Sequence, residues 1–214
     1  PAGHTGIYLD ILPTESMKEF LNALATAVFS TIPEQSKPGK LILDFIKSLR
    51  PLIVFDPLTG FPQLTVDVRP GEAERHIRSV LGCLEAYPEK VIIAIDEFQQ
   101  IMNYPEKNTD AFLRSIIQSL SNVRFIFSGS QQHLMMQLFA DPSRPFYQST
   151  GFLKIDKIDA DEYAAFIRHH FQHRGHKIED ETICAMMEWA DLHTYYVQLL
   201  CNRVFASAGK NVDD

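Results

Sequence analysis

The chain has no apolar run approaching the roughly 18 residues that a membrane span needs, and no segment with the order of charged, apolar and small residues that marks a signal peptide. It has no excess of basic charge either. Twenty Lys and Arg against 27 Asp and Glu leave a net charge of -7, so a sequence-independent electrostatic grip on nucleic acid is not the default reading. Cysteine is sparse: Cys83, Cys184 and Cys201 are odd in number and widely spaced. That spacing excludes a disulfide framework and does not suit a zinc site. Each lies in an apolar, helical context and reads as a reduced core thiol of a cytoplasmic protein. No Ser stands in a G-x-S-x-G elbow, which removes one class of hydrolase. Internal repeats and low-complexity tracts are absent too.

What is present is an ordinary globular composition, 45% hydrophobic and 22% charged over 214 residues. That length can bury a substantial core in one or two domains. The most informative stretch is Val91-Ile92-Ile93-Ala94-Ile95-Asp96-Glu97. A short apolar run ending in two carboxylates fits a buried parallel strand whose C-terminal end opens into a crevice, where doubly wound α/β proteins place their chemistry. Neighbouring strand residues face opposite sides. Both acids reach one site only if the chain turns there, a change of direction expected from Phe98-Gln99-Gln100. Two functional parts follow from the residue types: Asp96 as a Mg²⁺ ligand, Glu97 as the group that orients or deprotonates water. The bland alternative is a strand end that meets two solvated acids.

Along the chain, strands are expected at Ile7–Ile11, Leu52–Asp56, Gln63–Val68, Val91–Ile95, Val123–Phe127 and Phe152–Ile155. Ser16 and Glu19 have capping-box spacing ahead of an apolar face of Met17, Phe20, Leu21, Leu24 and Val28. Further helices are expected at Leu41–Leu49, through Ile77–Leu84, Phe112–Leu120 and Leu134–Phe139. Loops fall at Pro33–Pro38 and Pro57–Gly60. Strands alternating with helices imply βαβ units and a mainly parallel sheet. After Asp156 the pattern becomes helical throughout, with Asp159 and Glu162 spaced as a cap and a last helix at Tyr195–Phe205. The reading is therefore an α/β core over 1–156 and an α-helical subdomain over 157–214. Trp189 and the Phe and Tyr residues are assigned to the core. The chain opens at Pro1 and soon enters a strand, as though taken up mid-domain, and its polar end at Gly209–Asp214 is expected to lead onward.

Ser128-Gly129-Ser130 ends the strand expected beside the Asp-Glu strand. A hydroxyl there can bond a γ-phosphate or its attacking water; the alternative is an ordinary helix N-cap at Ser130. Arg144, in the loop Ser143–Tyr147, is a candidate cation for phosphate charge, or else a surface arginine. Arg114 and Arg124 read as structural. Gly39-Lys40 is not a phosphate loop, since Glu34 stands where the first Gly belongs and Leu41 where Ser or Thr belongs. No G-x-x-x-x-G-K-[ST] occurs anywhere in the chain. His169 and His173, one helical turn apart, are placed on a solvent face.

Val91–Gln100, Phe125–Ser130 with Leu134-Met135, Arg144–Thr150, and Tyr195-Tyr196-Val197-Gln198 recur in an order that resembles the AAA+/STAND-like prokaryotic (archaeal-type) P-loop ATPases. The resemblance implies a RecA-like P-loop NTPase core with its first strand and P-loop missing ahead of Ile7, followed by a helical lid. It implies Asp96 and Glu97 as the Walker B pair, Ser128 at sensor 1, Asp96 as the metal ligand, and ATP with Mg²⁺ as cofactors. His193–Tyr196, with Thr194 and Tyr195, would lie near the nucleotide. Thr194 stands where that family often has Pro, and Asp191-Leu192 replace a common Gly pair.

Three readings follow. The first is a switch ATPase of AAA+ or STAND type that binds and hydrolyses ATP in the intact protein and is inactive without its phosphate loop. The second is a non-enzymatic interaction or regulatory module on a degenerate ATPase fold. The third, a metal-dependent nuclease, lacks a third acid and a lysine at suitable spacing. Nucleotide is the expected ligand, with a homo-oligomer or protein partner allowed. An exposed sheet edge, left by a missing first strand, would invite pairing with another chain.

Overall fold

A computed structural model of the chain describes residues 3–34, 37–55, 57, 60, 62–69 and 71–207. Parts of the expected loops, at Gln35, Ser36, Leu58 and Thr59, lie outside them, as do Asp56 at the end of an expected strand, Pro1 and Gly209–Asp214. The chain forms two compact units, one up to Gly151 and one from Phe152 onward.

The first unit is built on a three-stranded parallel sheet of β1 (His4–Asp10), β4 (Lys90–Asp96) and β5 (Val123–Phe127), in the order β1-β4-β5. Between β1 and β4 the chain makes α1 (Met17–Thr31), α2 (Lys37–Ser48), a small antiparallel hairpin of β2 (Leu52–Phe55) and β3 (Pro62–Thr65), and α3 (Ala73–Glu85). A 3₁₀ turn (Phe98–Asn103) and α4 (Thr109–Ile117) lead to β5, and α5 (Gln132–Ala140) follows it. Gly39-Lys40 sits inside α2, a helical setting with no phosphate-cradling loop.

Alternation along the three strands sorts their side chains cleanly. Ile7, Leu9, Val91, Ile93, Ile95 and Val123 face a core closed by the apolar stripes of α1 and α3. The α1 stripe is Met17, Phe20, Leu21, Leu24, Ala25 and Val28, and the α3 stripe Ile77, Val80, Leu81 and Leu84. Burying one such side chain stabilises the fold by about 1.5–3 kcal/mol. Ser16 caps α1 by accepting from the Glu19 N–H at 3.3 Å, and Asp159 caps the first helix of the second unit by accepting from the Asp161 and Glu162 N–H groups. The opposite sheet face is open: Tyr8 is 62% and Ile126 56% exposed, although parallel sheets are usually covered on both faces.

Glu85 ties the end of α3 to the turn before β5. Its carboxylate accepts from Ser121 N–H, Ser121 Oγ at 2.6 Å and Asn122 N–H at 2.8 Å. These bonds, the Ser121 hydroxyl first, pull its pKa down to about 2. A depressed folded-state pKa contributes stability above the unfolded value of about 4.3 and loses it as pH falls through 2. Glu85→Gln is therefore expected to lower stability at pH 7 by about 1 kcal/mol, the size of a hydrogen-bond term at a partly solvated site. The gap to wild type should close by pH 2. Thermal melts across that range test this, and a gap independent of pH would contradict it.

The second unit packs α6 (Ala160–His173), α7 (Asp180–Trp189) and α8 (Thr194–Ser207) around Tyr163, Ile167, Phe171, Ile183, Met186, Met187 and Val197. Three expectations differ from the structure. Phe152–Ile155 forms no strand: it pairs with no strand among the described residues, and Leu153 and Ile155 are 88% exposed. Trp189 is 74% exposed, because the buried stripe of α7 runs through Ile183, Met186 and Met187 and leaves position 189 on the outer side. Cys184 is exposed for the same reason, while Cys83 and Cys201 are partly buried. His169 and His173 are both exposed on α6.

Candidate functional site

Asp10 pairs with Asp96 in the β1–β4 register, and the β4–β5 pairing runs on past both strands through Ser128 N–H to Ile95 O and Phe98 N–H to Ser128 O, each 3.0 Å. The C-terminal ends of all three strands therefore meet, and Asp96, Glu97 and Ser128 come together there. Asp96 Oδ1 accepts from Ser128 Oγ at 2.7 Å and from the Glu97 N–H at 3.0 Å. Its Oδ2 accepts from the Tyr8 phenol at 2.8 Å. The Ser128 bond and then the Tyr8 bond hold the Asp96 carboxyl below the usual range against the opposing effect of burial. The same bond to Asp96 raises the Tyr8 phenol above its ordinary value.

Tyr8 is a residue that sequence reading missed. It pairs with Ala94, so Asp96 is its diagonal neighbour on the same sheet face, within reach of a long side chain. The alternation Gly6, Tyr8, Asp10 was the available signal.

The change of direction after β4 is made at Glu97 itself, not at Phe98–Gln100. Glu97 is left-handed, with φ 55° and ψ 39°, and the 3₁₀ turn follows. A non-glycine residue held there carries strain of about 1–3 kcal/mol, of a kind that gathers at functional sites. Glu97 Oε2 accepts from Ser130 Oγ at 3.0 Å and from Gln99 Nε2. Ser130 is thus engaged with Glu97 rather than capping α5, whose N-cap is Gln131. Gln99 is 2% exposed, and its Oε1 is buried with no hydrogen-bond partner. Leaving such an acceptor unpaired costs about 1–3 kcal/mol.

Thr14 and Tyr104 join the segments that follow β1 and β4. The Thr14 hydroxyl donates to Ile11 O at 2.6 Å, so the Tyr104 phenol, 2.5 Å away, is the donor to Thr14. Burial pushes Tyr104 up to about 12.

The other candidates stand elsewhere. Arg144 pairs with Asp110 at 3.3 Å and contacts none of Asp96, Glu97 and Ser128. It lines a cavity of about 430 Å³ with Asn108, Gln137, Asp141 and Ser143. Thr194 and Tyr195 open α8 in the second unit. The Thr194 carbonyl accepts from the Tyr163 phenol at 3.3 Å, and the exposed Tyr195 ring lies edge-on to Tyr196. Asp191 and Leu192 both have positive φ, 48° and 56°. That is the conformation glycine adopts most readily.

Among the described residues no three His, Cys, Asp or Glu side chains gather to hold a metal. As candidate metal donors, the site offers the Asp96 carboxylate and the Ser128 hydroxyl that bonds it. These hard oxygen donors suit Mg²⁺, which is commonly bound by one or two carboxylates with waters and substrate phosphates completing the shell.

No protein-family model and no curated protein matches the chain. Among solved structures it is similar to the Walker-type ATPase PABY2304 of Pyrococcus abyssi, with a TM-score of 0.56 and 21% identity, over 94% of this chain and 57% of that one. The chain thus spans little more than half the length of that structure. No helix of the described residues is long and apolar enough to cross a membrane. The α/β arrangement of a parallel sheet and helices, expected from the sequence as a RecA-like core, is the fold of a Walker-type ATPase.

Proposed function

We propose that this chain carries the carboxylate half of an ATP-hydrolysing site, in a cytoplasmic switch ATPase of AAA+ or STAND type whose phosphate-gripping loop lies outside these 214 residues. One observation carries the reading: Asp96 and Ser128 meet through a side-chain hydrogen bond at the C-terminal ends of adjacent parallel strands, and Glu97, next in the chain, has its carboxylate held by Ser130 at the end of the second strand. In this reading Asp96 holds Mg²⁺, Glu97 orients the attacking water, and the Ser128 hydroxyl senses the terminal phosphate. Mg²⁺, when bound, supplies neutralisation of phosphate charge. The helical subdomain over 157–214 acts as a lid, with Thr194 and Tyr195 near the nucleotide. Arg144 is left out because Asp110 engages its guanidinium. The open sheet face at Tyr8 and Ile126 fits a core that receives a further layer from the loop-bearing segment.

That open face also favours a second reading, an interaction module on an ATPase fold, in which the face docks a protein partner or a second copy. The full-length protein separates the two. Asp96→Ala is expected to weaken ATP binding about tenfold in Mg²⁺, about 1.4 kcal/mol, and to leave binding in EDTA unchanged. Calorimetric titrations with and without EDTA check this. A wild-type protein that binds no ATP would hand the case to the interaction module.

A further inference from the structure

We infer that Gln99 is a positioning residue that fixes which oxygen Glu97 presents to the site, an inference that rests on the ATPase reading above. Gln99 lies between Phe98 and the next core residue of the turn, Ile101, at a level of burial where packing alone calls for an apolar side chain. Among the described residues its side chain makes one hydrogen bond, from Nε2 to Glu97 Oε2. A carboxylate has no proton to give, so the amide must turn its NH₂ toward Glu97. That choice drives Oε1 the other way, against Gly129, where no donor meets it.

Gly129 is shaped to this arrangement. A Cβ built there would stand 2.1 Å from Gln99 Oε1 and 2.9 Å from Met135 Sδ. Any side chain at 129 would expel the amide. Ser130 Oγ adds a second donor to the same Glu97 oxygen. Two donors on Oε2, one from each of two successive strand ends, leave Oε1 with no hydrogen bond from the described residues and available to hold a water. The buried, unpaired Oε1 of Gln99 is retained because the other end of the amide sets Glu97.

The test is Gln99→Met in the full-length protein, a change that keeps the volume and removes both polar atoms. The expected result is a kcat for ATP hydrolysis about 10- to 100-fold lower, as a misplacement near 1 Å gives, with KM for ATP within about twofold. Thermal stability should be unchanged or raised, since an unpaired acceptor has been removed. A kcat within twofold of wild type would overturn the inference. So would a fall in kcat accompanied by a lower melting temperature, which marks a merely structural amide. If Gln99→Met does not fold, Gly129→Ala read by the same split between kcat and KM decides. Glu97→Gln, run beside them, distinguishes the failures: if it too leaves turnover intact, the role given to Glu97 in the ATPase reading falls first. If Glu97→Gln abolishes turnover and Gln99→Met does not, only the role of Gln99 is lost.

Discussion

Glu97→Gln in the full-length protein is expected to keep Mg²⁺-ATP binding within about twofold and to lower hydrolysis by about 100- to 10,000-fold, the range a positioned general base contributes. The substitution is isosteric. The new side chain can still offer a carbonyl oxygen to Ser130 Oγ and Gln99 Nε2, so the turn keeps its shape. What is lost is the second carboxylate oxygen, replaced by an amide nitrogen that accepts no proton. Binding should survive because Asp96 keeps its bonds to Ser128 and Tyr8, and phosphate grip in such folds comes mainly from backbone N–H groups of a glycine-rich loop. Phosphate release at saturating ATP, alongside an equilibrium ATP titration, measures both quantities. Turnover within twofold of wild type would remove Glu97 from the chemistry.

Phe98→Ala is expected to destabilise the first unit by about 3–5 kcal/mol. That is a large fraction of the 5–15 kcal/mol typical of a whole domain. Phe98 is fully buried and meets Phe127 at 4.3 Å, Phe146 at 5.5 Å and Phe139 at 5.8 Å between ring centroids. The cluster brings together the turn after β4, the end of β5, α5 and the loop beyond it. The Phe98 N–H also donates to Ser128 O, so a collapsing cavity would disturb the two strand ends that hold the site. Urea unfolding followed by circular dichroism measures the loss. A change below about 1 kcal/mol would mean that the neighbouring rings refill the space, the mildest outcome seen for large-to-small changes.

Much of this arrangement was legible from local pattern. The apolar runs at Ile7–Ile11, Val91–Ile95 and Val123–Phe127 appear as the three sheet strands, and the stripes of α1 and α3 are buried as their 3.6-residue spacing requires. The meeting of Asp96 with Ser128 followed from placing two parallel strands side by side. Tyr8 was not legible, because its role depends on the β1–β4 register, which pattern alone does not supply. Gln99 escaped notice because glutamine in a turn reads as solvated, and only the packing of Gly129 against it reveals a buried amide. The left-handed turn at Glu97 was hidden because nothing in its residue type favours positive φ. Phe152–Ile155 misled in the opposite direction: four residues with strand-like composition form no strand with the described residues, since a strand needs a neighbour as well as a pattern.

The place of Trp189 has an optical consequence. It is the sole tryptophan of the chain and stands 74% exposed at the end of α7. Excitation at the red edge of the aromatic band therefore reports on the helical unit alone, and its emission should already resemble indole in water before any unfolding. The α/β unit is dark to that probe. Its melting is better followed through tyrosine, where the Tyr8 phenol, quenched by the Asp96 carboxylate it touches, should brighten when the two strand ends separate.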